Sequence, residues 1–171
     1  MGQWKEIEIQ DFNAHSFTLF DKDWALLTAE AEGKVNTMTV SWGALGTLWG
    51  NPTATVYVRE SRYTYGFMEA ADRFTLSVLP ESYRKTLSYL GSASGRDEDK
   101  IAKSGLTLIH EDGAPAFQEA RLVLVCRKLY GQTMEPDCFV DQEVYRRSYV
   151  NQGGGIHKIY VGKVEKILET T

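Results

Sequence analysis

The chain has 171 residues, 43% hydrophobic and 25% charged, which suits one folded domain with a substantial core and excludes a disordered chain. Its formal net charge of -4 argues against a general electrostatic surface for nucleic acid, while leaving room for a local basic pocket that holds a small anion. No stretch approaches the roughly 20 apolar residues of a membrane helix, and the opening MGQWKEIEIQ lacks the apolar run of a signal peptide, so a cytoplasmic protein without a membrane partner is expected.

Met1 and Gly2 open a myristoylation-like string, but Lys5 and Glu6 stand where that pattern wants a small residue and then Ser or Thr. In chain order, WALLTAEAE (24–32) reads as a strand, although its Ala and Glu content also suits a short helix, and EGK suggests a turn into VNTMTVSWG, so a hairpin is the economical reading. GALGTLWGNP (43–52) is glycine-rich and reads as a loop presenting Trp49, and TATVYVR (53–59) as a strand. RESRYT forms a turn, with Thr64 placed to cap a helix over YGFMEAA whose Phe67 and Met68 face inward. RFTLSVLP (73–80) is a strand ended by Pro80. ESYRKTLSYL is a helix with Gly91 as its stop, and Asp97 caps a further helical turn.

ARLVLVCRKLYGQ (120–132) alternates Leu122, Leu124 and Cys126 with Val123, Val125 and Arg127, a long strand buried on much of both faces. IHKIYVGKVEKIL (156–168) is a second, with Gly162 marking a bulge or a close backbone approach. Five or six strands and three short helices, with the two long strands late, imply a closed or nearly closed barrel in a single domain over 1–171, mainly β with short helices (α+β).

The chemistry concentrates in three places. Thr37, Thr39 and Ser41 alternate with Met38, Val40 and Trp42, so one strand face carries three small hydroxyls; an ordinary half-buried strand is the plain alternative. Arg59, Ser61, Arg62 and Thr64 converge where a strand feeds a helix start, a setting of free N–H groups, hydroxyls and guanidinium forks suited to a phosphate monoester; solvated arginines beside a capped helix are the alternative. SASGRDEDK repeats that logic with Ser92, Ser94, Gly95 and Lys100. A ligand with a phosphate, a polyol and a flat ring fits all three places, and flavin mononucleotide (FMN) has these parts.

The strings NTMTVSWG, YVRESRYTYGF, RFTLSVLPESYRKTL, GSASGRDEDK, EARLVLVCRKLY and IHKIYVGKV, in this order over about residues 24–168, resemble the flavin reductase-like family of FMN-binding split barrels, especially its flavoredoxin-like branch. The resemblance implies a split-barrel homodimer holding FMN near the subunit interface. It places Thr37, Met38, Thr39, Ser41 and Trp42 beside the ring and ribityl chain. Arg59, Ser61, Arg62, Tyr63 and Thr64 would then hold the phosphate end, helped by Ser94, Gly95 and Lys100.

The same resemblance implies an NAD(P)H:flavin oxidoreductase, with NADH or NADPH as donor and an electron-acceptor protein or a flavin-dependent oxygenase downstream. The alternatives are a flavoredoxin-like electron carrier and a noncatalytic FMN-binding module. No Rossmann fingerprint is present to choose between the two nicotinamides. His157 is the one candidate catalytic side chain; relatives often carry an acid and an aromatic just before it, where this chain has Gly155 and Ile156, and a structural histidine is the alternative. His15, His110 and Glu30 read as surface or structural groups, and Cys126 and Cys138 lack the paired spacing of a zinc or redox site.

Overall fold

The computed structural model describes residues 4–170; the myristoylation-like string at Met1 and Gly2 lies outside them. The chain runs β1 (Trp4–Ile7), β2 (Ala25–Ala31), β3 (Lys34–Val40), β4 (Gly43–Leu48), β5 (Asn51–Arg59), α1 (Tyr63–Ala70), β6 (Arg73–Val78), α2 (Arg84–Ser92) and α3 (Lys100–Ser104). It continues through β7 (Leu108–Glu111), β8 (Ala114–Phe117), β9 (Leu122–Thr133), α4 (Gln142–Tyr145) and β10 (His157–Thr170).

The main sheet has the order β3-β2-β6-β9-β10-β5-β4, with antiparallel neighbours throughout, and it curls without closing. β10 explains the split. Residues 157–163 pair with β5, whereas 167–170 pair with β1, so one long strand serves two different neighbours along its outer edge. The long alternations of β9 and β10 are the reason both strands can be buried from two sides. Leu122, Leu124 and Cys126 point into the barrel with Phe74, Tyr160 and Val164, while Val123 and Val125 face a second core built from Leu26, Leu87, Leu90 and Phe117. That second core seats α2 and the β7–β8 hairpin on the outside of the barrel.

Gly162 fulfils both expectations. The register shifts between Val161 and Gly162, and a Cβ at this position would lie 2.6 Å from the Phe74 ring.

Several local expectations need correction. GALGTLWGNP is β4 with a tight turn, not a loop: Leu48 pairs with Asn51, and Trp49 and Gly50 both have positive φ, 51° and 68°. Two left-handed residues make the turn that matches strand twist in a two-residue hairpin, and Asn51 Nδ2 donating to Trp49 O at 2.8 Å holds it. The glycines hid the alternation of β4.

Thr64 is not a cap. α1 begins at Tyr63, whose ring packs edge-on to Phe67 at 5.1 Å, and Thr64 is buried in the first turn. Phe67 and Met68 do face inward. α2 runs through Gly91 to Ser92; Gly91 serves a close approach to β3, since a Cβ there would stand 3.2 Å from Thr39 Cβ. The cap of α3 is Asp99, which accepts from Ala102 N at 3.0 Å, and not Asp97. The β7–β8 hairpin escaped notice because each strand is only four residues long. His110 Nε2 lies 2.6 Å from Glu30 Oε2, a contact between two groups read as surface or structural.

Candidate functional site

β5 ends at Arg59, the chain turns through Glu60–Arg62, and α1 begins; opposite this turn lies the segment joining α2 to α3. Between them is a cavity of about 370 Å³, lined by Ser61, Arg62, Tyr63, Thr64, Ser92, Ala93, Ser94, Arg96, Asp97 and Lys100. Three cations and one carboxylate border it, so its charge is net positive in an acidic chain. Arg62 Nη2 donates to Gly91 O at 2.7 Å, and Arg96 Nη1 to Ser61 O at 3.1 Å, with the Arg96 guanidinium 5.2 Å from the Tyr63 ring centroid. Each fork retains further N–H groups.

Lys100 is buried and its Nζ donates to Leu90 O and Ala93 O, both at 2.9 Å, at the C-terminal end of α2 where a cation is favoured. Burial, aided by the neighbouring Arg62 charge, pushes its ammonium down to about 8. An anion entering the cavity would relieve both effects. This donor set, a positive helix start and three cations, has the chemistry of a phosphate monoester cradle.

From the cavity, contacts lead to the end of β3. Arg62 binds the Gly91 carbonyl, Gly91 packs on Thr39, and Thr39 Oγ1 donates to Leu87 O at 2.6 Å. Ser41 and Trp42 follow in the exposed link to β4, and the Trp42 ring lies 5.1 Å from that of His157 at the start of β10. Contacts thus link the cationic cavity to the end of β3, and the chain leads on from there to the exposed Trp42 beside the buried His157 ring.

The structure divides the sequence candidates. Ser61, Arg62, Tyr63, Thr64, Ser94 and Lys100 border one cavity, while Trp42 and His157 pack against each other outside its lining, with Ser41 exposed next to Trp42 in the chain. Thr37 does not offer a free hydroxyl: it is fully buried, 2.9 Å from Thr28 Oγ1, and donates to Leu27 O at 3.1 Å. Met38 belongs to the barrel core. The hydroxyl face is therefore neither wet nor ligand-facing at 37; it is covered by the second layer.

Arg59 is engaged on another side. Its Nη1 donates to Gly153 O at 2.7 Å and its Nη2 to Ser148 O at 2.9 Å, so its fork holds the 148–155 segment and not the phosphate cavity. Gly95 is needed for packing: a Cβ would collide with Asn36 Oδ1 and lie 2.9 Å from the Tyr63 ring.

Two participants were missed. Arg96 directly follows Gly95 within SASGRDEDK, and its charge in that loop was the available signal. Tyr149 had none, since nothing in RRSYV reveals that its hydroxyl lies 2.8 Å from His157 Nδ1.

The family model for the flavin reductase like domain matches residues 18–171. The chain belongs to the flavin reductase-like family. Solved structures similar to it include an FMN-binding domain of a flavin reductases-like enzyme from Shewanella baltica OS155, at 18% identity and TM-score 0.71, covering 99% of this chain and 78% of that one. Flavoredoxin from Methanosarcina acetivorans is 24% identical with TM-score 0.64, covering 85% and 67% respectively. The styrene monooxygenase flavin reductase of Pseudomonas putida S12 is 20% identical with TM-score 0.62, covering 85% and 77%. At these identities the likeness establishes the split-barrel fold. No curated protein matches the chain by sequence. Among the described residues no helix is long and apolar enough to cross a membrane.

Proposed function

We propose that this flavin reductase-like protein binds FMN and passes electrons from NADH or NADPH through it to an acceptor, a second protein or a flavin-dependent oxygenase. The observation that carries the reading is the cavity of about 370 Å³ bordered by Arg62, Arg96 and Lys100, connected through Gly91 and Thr39 to the aromatic region at Trp42 and His157. A phosphate would sit among the three cations and the start of α1, and a flat ring would meet Ser41, Trp42 and the backbone of β3. Bound flavin supplies the hydride and electron chemistry. The chain's part is to bind, to orient and to keep one ring face open.

The free thiols Cys126 and Cys138 accord with a reducing, cytoplasmic setting. Homodimer formation belongs to the same reading. Leu48, Trp49 and Tyr130 are exposed, and the last two rings meet edge-on at 6.0 Å on the outer face of the sheet. Sedimentation at micromolar concentration, with FMN bound, should give twice the chain mass; a monomer removes the dimer from the proposal.

The deciding experiment is purification without added flavin, then FMN titration and anaerobic stopped-flow mixing with excess NADH or NADPH. Quenched flavin fluorescence, a raised melting temperature and bleaching of the bound flavin are expected. Binding without bleaching by either nucleotide would leave an electron carrier, and no binding at high FMN would end the flavin reading.

A further inference from the structure

The segment between β9 and β10 folds back over the barrel end. Arg59 grips it by the carbonyls of Ser148 and Gly153, and Gly153, Gly154 and Gly155 all have positive φ, a run that side-chain-bearing residues rarely sustain. The grip fixes Tyr149, whose ring lies 5.3 Å from the Arg59 guanidinium and 5.5 Å from the His157 ring. Tyr149 Oη is 2.8 Å from His157 Nδ1 and 3.7 Å from Met134 Sδ.

A phenol has one hydrogen to give, and an imidazole nitrogen at 2.8 Å is a far better acceptor than a thioether at 3.7 Å. His157 Nδ1 then accepts, and the ring hydrogen stands on Nε2. Among the described residues Nε2 takes part in no hydrogen bond.

We propose that Tyr149 is a positioning residue: it fixes His157 as the neutral Nε2–H tautomer, and His157 presents that N–H beside Trp42 as a donor to a carbonyl oxygen of the flavin ring or of the nicotinamide carboxamide. The inference rests on the flavin reading for the identity of its acceptor, but not for the tautomer. The charged groups support a neutral imidazole. Among the described residues Arg59, opposite His157 in the β5–β10 register, is the one charge that acts on it; the rings of Tyr149 and Trp42 pack against the imidazole. Burial and the Arg59 charge push the imidazole down to about 4, and burial raises the Tyr149 phenol, which therefore keeps its hydrogen.

The test uses the full chain with ¹⁵N-labelled histidine. Without flavin, from about pH 5.5 to about pH 8, His157 should show one protonated and one bare ring nitrogen, with the proton on Nε2. In Tyr149→Phe the two tautomers should mix. A proton on Nδ1 in the wild type, or an unchanged tautomer in Tyr149→Phe, would overturn the proposal.

With FMN and NAD(P)H, Tyr149→Phe and His157→Ala should each lower kcat/KM about three- to tenfold, the worth of one neutral hydrogen bond. His157→Gln, which keeps an N–H near the Nε2 position, should restore most of that loss. A raised nicotinamide KM at unchanged FMN affinity assigns the acceptor to the carboxamide, and a weakened FMN affinity assigns it to the flavin. No change in either constant overturns the donor role. Failure of the wild type to bind FMN overturns the flavin reading, and binding without bleaching leaves an electron carrier; the tautomer measurement is independent of both.

Discussion

Asn36 reaches from β3 into the first turn of α1, donating through Nδ2 to Thr64 Oγ1 at 2.8 Å in a buried setting. Its Oδ1 lies against the Cα of Gly95, in the segment that forms the opposite wall of the cationic cavity. One amide thus holds both walls in place: the α1 start that carries Arg62 and Tyr63, and the 94–96 turn that carries Arg96.

Gly95→Ala should therefore destabilise the protein by about 1 to 3 kcal/mol, because the added methyl must displace the Asn36 amide or the Tyr63 ring. Asn36→Ala should cost a similar amount by leaving Thr64 unpaired. The double variant should lose clearly less than the two losses added, since both act on one contact. Additive losses in urea denaturation would show that Gly95 is needed for some other reason.

Arg62→Ala should weaken FMN roughly tenfold to a hundredfold, the range for losing a charge-assisted phosphate contact worth about 1.5 to 3 kcal/mol. Arg146, paired at 3.0 Å with Glu143 on the surface, should be replaceable by Ala without effect on FMN. Arg59→Ala separates the two roles that its neighbourhood suggests: it should loosen the 148–155 segment and lower the melting temperature, while changing FMN affinity far less than Arg62→Ala. Equal effects of Arg59→Ala and Arg62→Ala on fluorescence titration would return Arg59 to the phosphate site.

Arg59 and Arg62 also show where the sequence was legible. Both belong to one strand-to-helix turn and have the same chemistry, yet Arg59 leaves β5 on the side of the 148–155 segment and Arg62 on the side of α2. Spacing located the turn; which way each side chain leaves it depends on contacts 29 and 89 residues away in sequence. β9 and Gly162 were readable because their signals are local, an unbroken alternation and a glycine where Phe74 needs room. The strip at Thr37 misled for the opposite reason. Period two says that hydroxyls share a face, but only the packing of α2 and the β2 partner says what covers it.

Stability should fall in acid through His157. Its folded imidazole is held near 4, against about 6.5 in an unfolded chain, so above that value both forms are neutral and nothing is lost. As pH drops below 6.5 the unfolded chain takes the proton first, and the folded state loses up to about 3 kcal/mol by pH 4. Between about pH 7 and pH 4.5, His157→Gln should lose about 2 to 3 kcal/mol less than the wild type in denaturant titrations. Identical acid sensitivity would mean that His157 is protonated in the folded protein.

The affinity for FMN should depend on pH through Lys100. In the free protein its ammonium titrates near 8, depressed by burial and by Arg62, and a phosphate dianion in the cavity favours the charged form. Below about pH 7 Lys100 is already charged, so binding takes up no proton there and the affinity is flat until the phosphate itself protonates near pH 6. Above 8 the free lysine is mostly neutral and binding must recharge it, so each further pH unit should raise the FMN Kd by up to about tenfold. Lys100→Met keeps the buried stem and removes the titration: its Kd should be weaker at neutral pH and nearly level from about pH 7 to about pH 9.5. Stability without ligand moves the other way. The folded value lies below the unfolded one, so folding is favoured most above about 10.5 and loses up to about 3 kcal/mol as pH falls to 8. Alkaline pH should thus weaken FMN binding while relieving the strain of a buried charge, and the same slope of Kd against pH in Lys100→Met and wild type would place the phosphate away from Lys100.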